Sequence, residues 1–144
     1  MERAELTFDK LNVGQVYADR LFNVTPDLIK AYCLAIGTNN PVYEKGESAQ
    51  ALFHGPIAPP TLPVMWTPPR VCVQDWIIPA GGIHIAQEWE SLDTVRPGDI
   101  LHEKIYVKKT FVRNSRRYVV FEAIFQRMSQ EVVAKGRMTV LWPK

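Results

Sequence analysis

The chain has 144 residues, 47% of them hydrophobic and 22% charged, which predicts one globular domain over residues 1–144. A domain of this length buries roughly 68–70% of the surface its unfolded chain exposes, enough for a real core. The formal net charge of +2 is too small to imply a nucleic-acid partner, and no apolar run approaches the roughly 18 residues of a membrane helix.

The opening residues Met1-Glu2-Arg3-Ala4-Glu5 carry no secretory pattern, which predicts a cytoplasmic protein. After a bend at Gly14, residues 16–22 read as a short strand. Thr25-Pro26-Asp27 is a helix start: Thr25 caps, Pro26 suits the first helical position, and Asp27 favours the positive amino end. Leu28, Ile29, Tyr32, Ala35 and Ile36 follow at helical spacing, and Gly37 closes the helix as a left-handed cap. Residues 47–52 read as a second short helix. Residues 55–69 hold six prolines. Between them residues 61–66 are expected to be helical, with Pro63 in the first turn, where its missing N–H costs nothing. Pro68-Pro69 ends that helix, and residues 70–82 read as a loop or lid ending at Gly81-Gly82.

The second half changes character. Residues 83–89, 100–112, 118–127 and 132–142 are rich in β-branched and aromatic residues. Turn signals at residues 96–99, 113–116 and 128–130 separate the later ones. Short spacing between long strands implies antiparallel hairpins. Helices first and strands after predict an α+β fold with the helices on one face of the sheet. Leu101, Glu103, Ile105, Val107 and Lys109 alternate imperfectly, and the opposite phase, with Ile100 and Tyr106, is also partly apolar. A sheet with one face on a helix and part of the other on a partner has that mixture.

Cys33 falls in a helical pattern and reads as a small apolar residue. Cys72 has no CxxC partner, and His54, His84 and His102 have no ligand spacing to a cysteine, so neither a disulfide nor a metal site is expected.

Ala35-Ile36-Gly37-x-x-Asn40-Pro41-Val42, followed by Gly55-Pro56-Ile57-Ala58-Pro59-Pro60-Thr61, resembles the MaoC-like hydratases and dehydratases, in particular their FAS1-like dehydratase branch. Leu92-Asp93-x-Val95-Arg96-Pro97-Gly98-Asp99 and the hairpin at residues 112–117 extend the resemblance over nearly the whole chain. The resemblance implies a hot-dog fold, an antiparallel sheet wrapped around a central helix, with two such units joined and acyl-thioester pockets at their junction. It implies no cofactor and an enoyl or hydroxyacyl ligand carried on coenzyme A or acyl-carrier protein. In active members an aspartate two residues before Asn-Pro and a histidine two residues after the proline move the protons. Those positions here are Thr38 and Tyr43.

Hydration of an enoyl thioester needs a base for water, an acid for the α-carbon and donors for the enolate oxygen. Thr38 does not titrate, and a phenol such as that of Tyr43 is a poor base near neutral pH. The remaining element is expected from the N–H groups of Gly55, Ile57 and Ala58 at the amino end of the central helix. The expected ligand-binding residues are Asn40, Pro41, Tyr43, Gly55, Ile57, Ala58, Trp66 and Trp76. Set against this, Thr38 to Tyr43 can be a plain Asx-type turn, and the tryptophans can be core, as Trp89 and Trp142 are expected to be.

The resemblance therefore implies the pocket-forming subunit of a hydratase, working with a catalytic MaoC-like chain in a heterodimer or heterotetramer. One rival is a homodimeric hot-dog hydratase or thioesterase with His54 as base, oriented by Glu47, Asp75 or Glu90. Another is a non-enzymatic acyl-thioester binder. The basic run Arg113-Asn114-Ser115-Arg116-Arg117 reads as a solvated hairpin tip, with Lys104, Lys108 and Lys109 on the adjacent strand leaving a coenzyme A phosphate patch open. No stacking platform for nucleic acid accompanies it.

Overall fold

Thr25 accepts a hydrogen bond from the Leu28 N–H through its hydroxyl, Pro26 occupies the first turn, and Gly37 closes the helix at φ 72°. These local signals bound α1, Pro26–Ile36. The structure is a computed structural model and describes residues 3–67 and 75–144. The expected stop at Pro68-Pro69, Cys72 and the first part of the expected loop at residues 70–82 lie outside the described residues.

The other elements follow in chain order: β1 (Ala4–Glu5), β2 (Val16–Asn23), α2 (Glu47–Phe53), β3 (Trp76–Ile77), β4 (Ile83–Ser91), β5 (Ile100–Arg113), β6 (Arg116–Arg127) and β7 (Val132–Trp142). β2, β5, β6, β7 and β4 form one antiparallel sheet in that order. β1 and β3 pair in parallel as a separate two-residue ladder, which the sequence did not suggest. The β5–β6 hairpin turns on Asn114 and Ser115, at φ 50° and 59°. Two consecutive positive φ values give the type I′ turn whose twist matches the flanking strands.

Sheet and helices together form the α+β hot-dog arrangement, with one departure at its centre. Where a central helix was expected, residues Leu62–Trp66 form a 3-10 helix. Pro59, Pro60 and Pro63 account for this. Each disfavours the helical conformation in the residue before it. The segment still fills the core. Leu62 is fully buried, and the Trp66 ring stacks on Phe22 at 4.2 Å and tilts against Phe125 at 6.2 Å.

The imperfect alternation along β5 now has a cause. Leu101, Glu103, Ile105 and Val107 all face the core, at 0–1% exposure, and a bulge between Val107 and Lys109 then flips the phase. Glu103 is buried because Arg20 of β2 meets it. Arg20 donates through Nε at 2.9 Å and through Nη2 at 2.5 Å to Glu103 Oε2. The same Nη2 donates to the Trp66 carbonyl at 2.9 Å. The pair therefore ties the edge strand to the end of the 3-10 helix. Glu103 Oε1 has no hydrogen-bond partner, and burial pushes the Glu103 carboxyl up to about 7 against the pull of Arg20.

On the opposite face Tyr106 donates to Glu122, which Arg137 and Lys108 also reach at 2.7 and 3.4 Å. Burial alone would raise the Glu122 carboxyl, but Arg137, Tyr106 and Lys108 together bring it below the usual carboxylate range. That network is why the second phase of β5 is only partly apolar.

Candidate functional site

Gly37 directs the chain out of α1 into a turn held by two side chains. Thr38 Oγ1 accepts from the Asn40 N–H at 3.4 Å, and Asn40 Oδ1 accepts from the Val42 N–H at 3.2 Å. Asn40 thereby caps the short 3-10 helix Pro41–Tyr43. The Asx-type turn weighed from the sequence is present. It is also one wall of a cavity of about 990 Å³, into which Thr38, Asn40 and Tyr43 all face.

The second wall comes from the end of α2. His54 adopts the left-handed conformation at φ 58° as the helix cap, a region in which His is enriched among non-glycine residues. Gly55 follows at φ 137°, which favours glycine alone. His54 and Gly55 both line the cavity, and Ile29, Cys33 and Leu34 of α1 supply its apolar side. The sequence-expected pair of Tyr43 and Gly55 thus frames one space. Burial pushes the Cys33 thiol up, and the charge of Glu44 adds to it.

Other expected ligand residues lie elsewhere. Pro41 is exposed in the turn and does not line the cavity. Ile57 and Ala58 are buried and border a separate, smaller depression of about 300 Å³ beside Leu92 and Thr94. Trp66 belongs to the core. Trp76 packs on that core from β3, with Lys10 Nζ 6.0 Å from the centre of its ring.

The expected oxyanion donors are also engaged. Gly55 N–H donates to the Ala49 carbonyl at 3.1 Å, Ile57 N–H to Val42 at 3.1 Å, and Ala58 N–H to Val95 at 2.7 Å. Residues 56–59 are not helical, so they are not the amino end of a helix. The Gly55 bond closes α2, and the Ile57 and Ala58 bonds stitch that segment between Val42 and Val95.

That stitching introduces a residue read from the sequence only as part of a turn. Arg96 lines the cavity with Pro97 and Gly98. Its Nη2 donates to the Phe53 carbonyl at 2.7 Å, and its Nη1 would lie 3.9 Å from a Cβ placed on Gly55. The sequence signal available was the position of the arginine at the head of the Arg-Pro-Gly-Asp turn.

No hydrogen bond or ion pair among the described residues joins His54 to Glu47, Asp75 or Glu90; the histidine pairs that form involve His84 with the Ala86 carbonyl and His102 with Asp19. No three His, Cys, Asp or Glu side chains converge as metal ligands among the described residues. The basic hairpin tip stands apart from the cavity. The 14 residues of β5 run between the Arg96-Pro97-Gly98 side of the cavity and that tip. There Phe111 and Tyr118 stack at 4.8 Å, with Lys109 over Phe111 and Arg117 over Phe8.

The fold and this cavity define a hot-dog protein with a helix-turn pocket beside the sheet. The FAS1-like, dehydratase domain region family model matches residues 12–135, and the chain belongs to that family. Three solved structures share the fold. R-hydratase PhaJ1 from Pseudomonas aeruginosa has 18% identity and a TM-score of 0.79, covering 99% of this chain and 90% of that one. The MaoC-like dehydratase from Rhodospirillum rubrum has 24% identity and a TM-score of 0.77, covering 96% and 98%. The HadBC (3R-hydroxyacyl-ACP dehydratase) complex from Mycobacterium tuberculosis has 17% identity and a TM-score of 0.75, covering 90% and 96%. No curated protein sequence matches the chain. No helix among the described residues is long and apolar enough to cross a membrane.

Proposed function

We propose that this chain is the acyl-pocket subunit of an enoyl-thioester hydratase or 3-hydroxyacyl-thioester dehydratase, and that a second MaoC-like chain brings the proton-moving aspartate and histidine. The ligand is an acyl group on coenzyme A or acyl-carrier protein. One observation carries the reading: Thr38 and Tyr43 face the same cavity as Asn40, His54 and Gly55, yet no imidazole there is hydrogen-bonded to a carboxylate. In this reading the positions that carry the proton-moving pair in active members hold Thr38 and Tyr43, both on the cavity lining. The HadBC dehydratase complex among the structural neighbours is consistent with this division of labour.

The exposed surface supports an assembly. Leu34 and Ile36 on α1 are 74% and 50% exposed, and the edge strand β4 presents Ile83 and Ile85 at 55% and 49%. An uncovered sheet edge flanked by apolar side chains invites pairing with another chain.

The test is turnover of crotonyl-coenzyme A. The purified chain alone is expected to give none, and co-expression with a chain carrying Asp-x-Asn-Pro-x-His is expected to give activity. Turnover by the lone chain would refute the reading. A homodimeric enzyme using His54 is the second reading, favoured by the placement of that side chain on the cavity wall. It requires turnover by the lone chain that His54→Ala abolishes.

A further inference from the structure

The cavity wall carries Lys30, Lys45, His54 and Arg96 against Asp27 and Glu44. Arg96 differs from the lysines in being half-buried and fixed. Its Nη2 is tied to the Phe53 carbonyl at 2.7 Å, and its Nη1 would lie 3.9 Å from a Cβ placed on Gly55.

Its obvious counter-ion is occupied elsewhere. Asp99, three residues on, accepts from the Arg96 backbone N–H through Oδ2 at 2.9 Å. The same oxygen lies 3.7 Å from Arg127 Nε. Asp93 also belongs to Arg127, at 2.7 Å. Among the described residues no carboxylate lies within ion-pair distance of the Arg96 guanidinium. Asp27 and Glu44 share its cavity without reaching it. A guanidinium has five N–H donors and cannot shed its charge. One of the five is used by Phe53, and the residue lines the cavity. Asn40 adds a neutral donor on the opposite wall, because its Oδ1 is held by Val42 and its amide NH2 remains.

We propose that Arg96 is the anion-recognition residue of this cavity, gripping two oxygens of a carboxylate or phosphate group on the ligand. The planar fork matches either group in a bidentate fashion, and its fixed, half-buried setting lessens both the ordering cost and the screening by water. A carboxylate would come from the acyl group. A phosphate would come from the carrier. This rests on the cavity being the ligand site of the proposed subunit, and the experiment separates the two ideas.

Inorganic phosphate and succinate are titrated separately into isotope-labelled full-length protein and followed by NMR. Saturable shifts are expected at the Arg96 side-chain Nε–H and the Gly55 amide. They should weaken at least about tenfold in Arg96→Gln, with an intermediate loss in Arg96→Lys, which keeps the charge but not the fork. No saturable shift in the wild type, or equal affinity in Arg96→Gln, overturns the proposal. If Arg96→Gln does not fold, the wild-type Nε–H signal and the lysine variant decide by the same criteria.

Crotonyl-pantetheine, fumaroyl-pantetheine and crotonyl-coenzyme A then identify the source. A loss in Arg96→Gln confined to the fumaroyl compound assigns a carboxylate. A loss confined to the coenzyme A compound assigns phosphate. An equal loss for crotonyl-pantetheine, which carries no anion, overturns the proposal. Anion binding at Arg96 with no thioester binding at all counts against the dehydratase-subunit reading and leaves the anion site standing.

Discussion

Arg20 and Arg96 are both half-buried arginines tied to a backbone carbonyl, and they sit in regions built on opposite rules. Around Arg20 the core encloses the cation together with Glu103, whose exposure is 0%, and the pair joins β2, β5 and the 3-10 helix. Around Arg96 the fold has the carboxylates but turns them to Arg127 and to a backbone N–H. The first arrangement is internally neutralised and reads as architecture. The second leaves a positioned positive charge on a cavity wall, which is a feature of a binding surface. A charged residue's role here follows from where the nearby opposite charge points, more than from its own burial.

The largest expected effect tests the architectural arginine. Arg20→Ala leaves Glu103 buried without its partner, and denaturant unfolding should show a loss of about 3–5 kcal/mol. A loss below about 1 kcal/mol would show that the pair is not structural. The pH dependence sharpens the same point. The Glu103 carboxyl is pushed up to about 7 in the fold from its ordinary 4.5, so the folded state holds the proton more tightly than the unfolded one. Its contribution is greatest below about 4.5 and declines as pH rises towards about 7. The slope cannot exceed the one-proton limit of about 1.4 kcal/mol per pH unit. Glu103→Gln should flatten this part of the pH–stability curve, and an unchanged slope in that variant would place the proton elsewhere.

Gly136 comes next. A Cβ there would lie 3.0 Å from two atoms of the Trp89 ring, whose Nε1 donates to the Pro60 carbonyl at 3.0 Å. Gly136→Ala should cost about 1–3 kcal/mol by displacing the ring, read as a lowered thermal midpoint with altered tryptophan fluorescence. On the cavity side the stability effects should be smaller. Asn40→Ala removes the bond to the Val42 N–H and should cost about 1 kcal/mol. Arg96→Gln removes a single bond to Phe53 and should cost about 1 kcal/mol or less, with its main consequence in anion binding. A stability loss at Arg96 matching that at Arg20 would erase the distinction between the two regions.

Much of the scaffold was legible in the residues. Thr25, Pro26 and Gly37 act within one turn of themselves, so the bounds of α1 could be read directly. Asn114 and Ser115 mark the β5–β6 turn, and the four long strands were anticipated to within a few residues. Residues 61–66 were expected to be helical and form the 3-10 helix Leu62–Trp66, because a proline suits a first turn while closely spaced prolines disfavour the helical conformation in the residues before them. Among the site residues, Thr38, Asn40, Tyr43, His54 and Gly55 were placed on one cavity by their neighbourhood along the chain. Ile57, Ala58, Trp66 and Trp76 were not separable from them by sequence, because whether a side chain or N–H faces the pocket depends on how remote segments pack.

Short-range features were readable from the residues alone: caps, turns and strand periods. Only the tertiary structure decided which polar groups remain available. The Gly55, Ile57 and Ala58 N–H groups are consumed by carbonyls from Ala49, Val42 and Val95, while the Arg96 guanidinium keeps donors in reserve. A hydrogen bond between segments remote in the chain depends on how those segments pack, and the residues that form it carry no local mark of their partner.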